Sequence, residues 1–149
     1  MCVYGVSEIE TLKEDMVAYK LVVFQSQGLG ISLCAPSGRV PQKMDEAEGT
    51  FYPNPLGVSK QYRVGEKVES SFEDTPGLYC YTSYEDARKE GLLYLGYCYG
   101  KCSIRLLEVL IPAGTRIKKG VENMGAGGLT VILAEEVLPV EMCEKDLGT

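Results

Sequence analysis

The chain contains no histidine, so it lacks the side chain most used as a general base, as a metal ligand and as the partner of a serine or cysteine nucleophile. Catalysis by carboxylates, tyrosines, lysines or an activated substrate is left. Six cysteines are present, at positions 2, 34, 80, 98, 102 and 143. Cys98 and Cys102 flank Tyr99-Gly100-Lys101, a spacing open to a thiolate pair, a local disulfide or coincidence. A structural zinc site needs four ligands in two close pairs, and without histidine there is no second pair. Cys2, behind the initiator methionine, is the one position where processing would expose an N-terminal nucleophile, and no other feature supports that use. Cys34 and Cys80 stand in apolar runs, where cysteine serves as a small buried hydrophobe, so the thiols are read as mostly reduced. No metal and no cofactor are expected.

Ten tyrosines accompany no tryptophan, and Tyr79, Tyr81, Tyr84, Tyr94, Tyr97 and Tyr99 are gathered in one stretch. Most suit core packing. Tyr97 and Tyr99 lie among glycines, where a flat ring with a polar tip can stack on a planar ligand or a protein surface. Arg105 opens an apolar run that Glu108 interrupts, and a charge there is at an exposed end, paired inside, or facing a cavity. The expected ligand-binding set is Arg63, Tyr97, Tyr99 and Arg105, with a small anionic ligand or a protein as partner. Gly28-Leu29-Gly30 and Gly125-Ala126-Gly127-Gly128 are read as tight turns, because a phosphate loop leads into a helix N-terminus and both of these lead into strand-like sequence.

The formal charge of −6 and a pI near 4.8 set a repulsive field toward phosphate backbones, which argues against nucleic acid. Hydrophobic residues at 45% and charged residues at 24% mark a chain that folds. At 149 residues one domain, 1–149, is expected. No run nears the roughly 20 apolar residues of a membrane helix, and the N-terminus lacks a secretory layout, so no membrane role and a cytoplasmic location are expected.

The elements that would position these residues make an α+β fold, a strand-rich mixed sheet or partly open barrel. Ser7 with Glu10 forms a capping-box pattern, and Ile9, Leu12 and Met16 share a helical face, predicting a short helix over residues 8–15. Val17–Phe24 and Ile31–Ala35 read as a hairpin. Residues 36–57 carry Pro36, Gly38, Pro41, Gly49, Pro53, Pro55 and Gly57, predicting a long irregular loop. Tyr62, Val64 and Val68 around Gly65 suggest strand, turn and strand. Leu78–Tyr81 reads as a strand, and Thr82 or Ser83 caps an amphipathic helix running to about Leu95, with Tyr84, Ala87, Gly91, Leu92 and Leu95 inward. Ser103–Ile111 is apolar on both faces and is expected at the centre of the core. Arg116–Val121 reads as a short exposed strand, followed by Leu129–Leu133 and Val137–Val140, with Pro139 marking an edge. That edge makes a homodimer an expectation.

Two resemblances are carried by these residues. The stretch Tyr62–Val140 resembles small uncharacterised phage and bacterial proteins with a Tyr-x-Val-Gly segment (Tyr62–Gly65), a Gly-Leu-Tyr-x-Tyr segment (Gly77–Tyr81), a Glu-Asp-Ala helix start (Glu85–Ala87) and a Leu-Glu-Val strand. This implies a shared fold and an accessory role. A second stretch of motifs is similar to the Arg-Ser-Glu class of ADP-ribosyltransferases: Tyr62-Arg63, Tyr81-Thr82-Ser83, Ile111-Pro112-Ala113-Gly114-Thr115 and Ala134-Glu135-Glu136, in that order. The likeness implies that Arg63 holds the phosphates of a nicotinamide dinucleotide, Ser83 supports the site and Glu136 stabilises the ribosyl cation. Tyr81 and Ala134 stand where that class has serine and an acid. The leading expectation is a non-enzymatic binding protein, a phage or bacterial accessory or inhibitor factor, and the rival is a degenerate transferase of that class.

Overall fold

The computed structural model describes backbone over residues 3–4, 6–27, 30–36, 43–45, 50–52, 59–75, 77–97, 103–124 and 127–144, and side chains over 6–22, 62–75, 77–92, 105–121 and 130–143. In chain order the elements are β1 (Val3–Tyr4), β2 (Glu10–Thr11), β3 (Met16–Gln27), β4 (Gly30–Pro36), β5 (Lys43–Asp45), β6 (Thr50–Tyr52), β7 (Ser59–Tyr62), β8 (Val68–Glu69), β9 (Leu78–Tyr81), α1 (Tyr84–Tyr97), β10 (Ser103–Ile111), β11 (Arg116–Met124), β12 (Gly127–Ala134) and β13 (Glu136–Glu144).

The apolar run of β10 lies between β3 and β13, with Leu107 opposite Lys20 and Met142, and Val109 opposite Ala18 and Pro139. Leu106, Leu107, Val109 and Ile111 are fully buried, while Glu108 and Leu110 are half-buried. The main sheet runs β1-β11-β12-β9-β3-β10-β13-β8, with β4 and β7 added on the flank of β3 and β2 on the flank of β11. Every described pairing is antiparallel, which corrects the mixed sheet expected from sequence. Hairpin-length connections dictate this for β3–β4, β5–β6 and β11–β12, since a parallel pair needs a long crossover, while the other pairs join strands farther apart along the chain.

One connection fixes the shape. Glu135 alone joins β12 to β13, yet β9, β3 and β10 stand between those strands in the sheet. Four gaps of about 4.8 Å would separate them by about 19 Å in a flat sheet, and the Cα atoms of Ala134 and Glu136 can be at most about 7 Å apart. The sheet is therefore strongly curled, open, and gathered at the corner where Glu135 sits. Its concave face carries the core: Ala18 and Val22 of β3, Leu78 and Cys80 of β9, Leu107, Val109 and Ile111 of β10, Ile117, Ile132 and Val137. The opposite face of β3 and β9 carries α1, with the Tyr19 and Tyr84 rings edge to face at 5.9 Å.

The helix starts as its sequence directs. Ser83 accepts from the Asp86 N–H through Oγ, at 3.3 Å, and from the Ala87 N–H through its carbonyl, while Glu85 and Asp86 occupy the positive first turn. Its inner face is Ala87, Glu90 and Gly91, and Leu92, expected inward, is exposed.

The helix expected over residues 8–15 is absent. Ser7 N–H donates to Lys119 C=O, Ser7 Oγ accepts from Lys119 N–H, Glu10 and Thr11 pair with β11, and Leu12 N–H donates to Thr115 C=O. A two-turn helix gains little in water, whereas the edge of β11 offers each of these groups a partner. The long loop expected over 36–57 begins at Pro36, the last residue of β4, and includes a two-stranded antiparallel piece, β5 with β6; its other residues lie outside the described ones. Arg116–Val121 is part of a longer strand, β11, paired on both sides with Ile117 buried. Pro139 is buried at a register irregularity of the β10–β13 pair, where a missing N–H disturbs no ladder. Both glycine segments join antiparallel neighbours, β3 to β4 and β11 to β12.

Candidate functional site

An open cleft of about 590 Å³ lies at the gathered corner, between Glu69–Ser71, the turn Ala113–Arg116 and the pair Glu135–Glu136. The turn is built by Gly114, whose φ of 89° is one that L side chains avoid. It is anchored by Ala113 N–H donating to Asp15 Oδ1 at 2.8 Å and Gly114 N–H donating to Leu12 C=O at 2.8 Å.

Glu135 organises the cleft. Its carboxylate accepts from Arg116 Nε at 2.5 Å, from Arg116 Nη2 at 2.9 Å and from the Phe72 backbone N–H at 2.9 Å. Its own N–H donates to Arg116 C=O, and its C=O accepts from Ser70 N–H. One residue thus ties β11 and the segment after β8 to the junction of β12 and β13. The Arg116 hydrogen bond holds the carboxyl below its ordinary range, with the Phe72 N–H adding to this against a smaller opposing effect of burial, and Arg116 is raised in turn. A second ion pair spans the rim: the exposed Lys67 ammonium lies 3.2 Å from Glu69 Oε1 and 3.6 Å from Glu136 Oε1. Lys118 places its ammonium 4.6 Å from the centre of the Phe72 ring. Three carboxylates, Glu69, Glu135 and Glu136, face one guanidinium in this cleft.

A different polar cluster lies inside. Lys20 is 2% exposed on the concave face, with its Nζ donating to Tyr79 C=O at 2.5 Å and 5.5 Å from the centre of the Tyr62 ring. Burial lowers its amine to about 8, and Cys80 nearby acts weakly the other way. Burial raises the Cys80 thiol to about 11, opposed by Lys20, and raises Tyr62 well above its ordinary value. The Tyr62 hydroxyl is buried and has no hydrogen-bond partner among the described residues.

The residues expected to bind ligand are distributed unevenly. Arg63 is exposed, at the turn between β7 and β8. Arg105 is half-buried on the concave face of β10, opposite Val22 and diagonal to Lys20, with its Nε buried. Tyr97 is the last residue of α1, and its side chain lies outside the described ones, as do Tyr99, Cys98 and Cys102 entirely. Cys80 and Cys143 are in no disulfide. Of the transferase-like set, Glu136 borders the cleft together with the Ala113-Gly114-Thr115 turn. Ser83 caps α1, five residues beyond Leu78, whose partner is Ala134. At about 3.3 Å per residue that is about 16 Å along the strand from the corner. Arg63, Ser83 and Glu136 are thus not brought to one point. Glu108 sits half-buried between Tyr19 and Glu141, and after burial it is the main cause of the raised Tyr19 hydroxyl.

Sequence reasoning passed over Lys20, Tyr62 and Glu135. Lys20 had a readable signal, a lone cation in phase with Ala18 and Val22 in an apolar strand. Among the described residues no group of three or more acidic or cysteine side chains is arranged to hold a metal, and no helix is long and apolar enough to cross a membrane. Compared with protein-family models, with curated proteins and with solved structures, the chain matches none.

Proposed function

We propose that this is a non-enzymatic intracellular binding protein, a phage or bacterial accessory or inhibitor factor, whose curled sheet acts as a partly open barrel presenting the corner cleft to a protein partner. The observation that carries the reading is the state of the charges in the cleft. Glu135 is committed to Arg116 and Phe72, and Lys67 lies between Glu69 and Glu136, so its groups serve recognition better than proton transfer or attack. Lys67 occupies the place that a basic side chain of a partner would take. Its pairs are exposed and worth little, so exchange is easy. The resemblance of Tyr62–Val140 to small phage and bacterial proteins supports the accessory role.

Titration calorimetry with a lysine-rich and a glutamate-rich peptide of equal length tests this. The basic peptide is expected to bind and the acidic one not, with Glu69→Lys and Glu136→Lys each weakening binding about tenfold. Equal binding of both peptides, or indifference to the charge reversals, overturns it. Incubation with labelled nicotinamide dinucleotide and a bacterial lysate is expected to give the same background for wild type and Glu136→Ala. Label transfer abolished by Glu136→Ala would replace the binding reading with the enzymatic one.

A further inference from the structure

The concave face carries a cation where an apolar core is otherwise continuous. Lys20 is buried among Ala18, Val22, Cys80 and Leu107, and an ammonium there has three donors, of which one reaches Tyr79 C=O. Among the described residues no carboxylate forms an ion pair with it, and the Tyr62 ring offers only its π face at 5.5 Å. Buried charges in proteins are paired, because desolvation without a counter-charge costs several kcal/mol. Tyr62 brings a second buried donor to the same place, a hydroxyl with no partner among the described residues. The register sets Arg105 diagonal to Lys20 on this face, at about 7–8 Å between backbones.

An ammonium with spare donors and a phenol with a spare hydrogen share one complement, an acceptor with negative charge and at least two oxygen atoms. The geometry points to an internal anion site at Lys20 and Tyr62, on the concave face, that takes a small monocarboxylate. The anion would accept from Lys20 Nζ and from the Tyr62 hydroxyl. Its charge offsets the one that Lys20 brings there. The site is separate from the corner cleft and independent of what the cleft binds.

Thermal unfolding at pH 7 in sodium formate, against sodium chloride at equal ionic strength, tests the assignment. Formate is expected to raise the midpoint in a saturable way, by about 5 °C when well above its dissociation constant. Lys20→Met is expected to abolish that difference and Glu136→Lys to leave it intact. Should Lys20→Met not fold, Tyr62→Phe keeps the ring, removes the hydroxyl and is expected to weaken the formate response at least about fivefold. A formate effect equal to that of chloride, or one that survives in Lys20→Met or is unchanged in Tyr62→Phe, overturns the assignment.

Discussion

Replacing Lys20 by methionine tests the electrostatics of the concave face through stability alone. In chloride, a folded-state amine at about 8 against an ordinary 10.5 means that below pH 8 both states carry the proton and the native state bears the full penalty. That difference is worth about 3 kcal/mol. As pH rises from 8 toward 10.5 the native state binds fewer protons than the unfolded one, so stability increases. Integrated from pH 7 to 9, the recovery is about 1 kcal/mol. From about pH 8 the opposite trend enters, because the Cys80 thiol, raised to about 11 from 9.0, keeps its proton in the native state while the unfolded state loses it. At pH 9 that loss is about 0.4 kcal/mol, so from pH 7 to 9 the Lys20 gain is the larger of the two. Methionine fills a similar volume without charge but leaves Tyr79 C=O without its donor, at about 1–3 kcal/mol, so the net gain at pH 7 is expected to be only about 1 kcal/mol. The decisive quantity is the slope: urea unfolding should show wild-type stability climbing between pH 7 and 9 and the Lys20→Met curve falling slightly. Parallel curves would refute the burial of a titrating Lys20.

Three further outcomes follow from the packing. Gly77→Ala should cost about 3 kcal/mol in urea unfolding and Gly114→Ala about 1 kcal/mol. Both have positive φ, but a Cβ at Gly77 would come within 2.5 Å of Phe72 Cε1, whereas nothing lies within 4 Å at Gly114; equal losses would count against the packing of Phe72 under the corner. Glu135→Gln should lower the melting midpoint at pH 7 by about 3 °C. Because the Glu135 carboxyl is held down in the folded state, its contribution is present above the ordinary carboxyl range and disappears as pH falls through the lowered value, so the two melting curves should converge in acid. Leu107→Ala, at the fully buried centre of β10, should lose about 3–4 kcal/mol in a single unfolding transition, and two calorimetric steps would show that the core is divided.

How much was readable along the chain depended on where each partner lay. β3 with β4, β9, α1 and β10 announced themselves through alternation, caps and turn glycines, because the groups that decide them are within a few residues. The N-terminal segment misled for the same reason. Its capping box and apolar spacing describe a good local helix, but the edge of β11, more than 100 residues away, claims the Ser7 and Leu12 backbone groups. Leu92 was placed inward by periodicity, yet the helix rolls so that Glu90 and Gly91 face the sheet. The corner cleft was half legible: Glu136 and the Pro112–Thr115 turn attracted attention through a motif, while Glu135 mattered through its bonds to Arg116, Phe72 and Ser70.

By itself the sequence determined the strand-rich composition, the position of the central strand and the exclusion of histidine chemistry, all of which are local or additive properties of residues. The tertiary structure decided the curl of the sheet, the gathering of three elements on Glu135 and the enclosure of Lys20 with Tyr62. Those depend on which strands stand between β12 and β13, and strand order is a property of long-range pairing that no window of sequence contains.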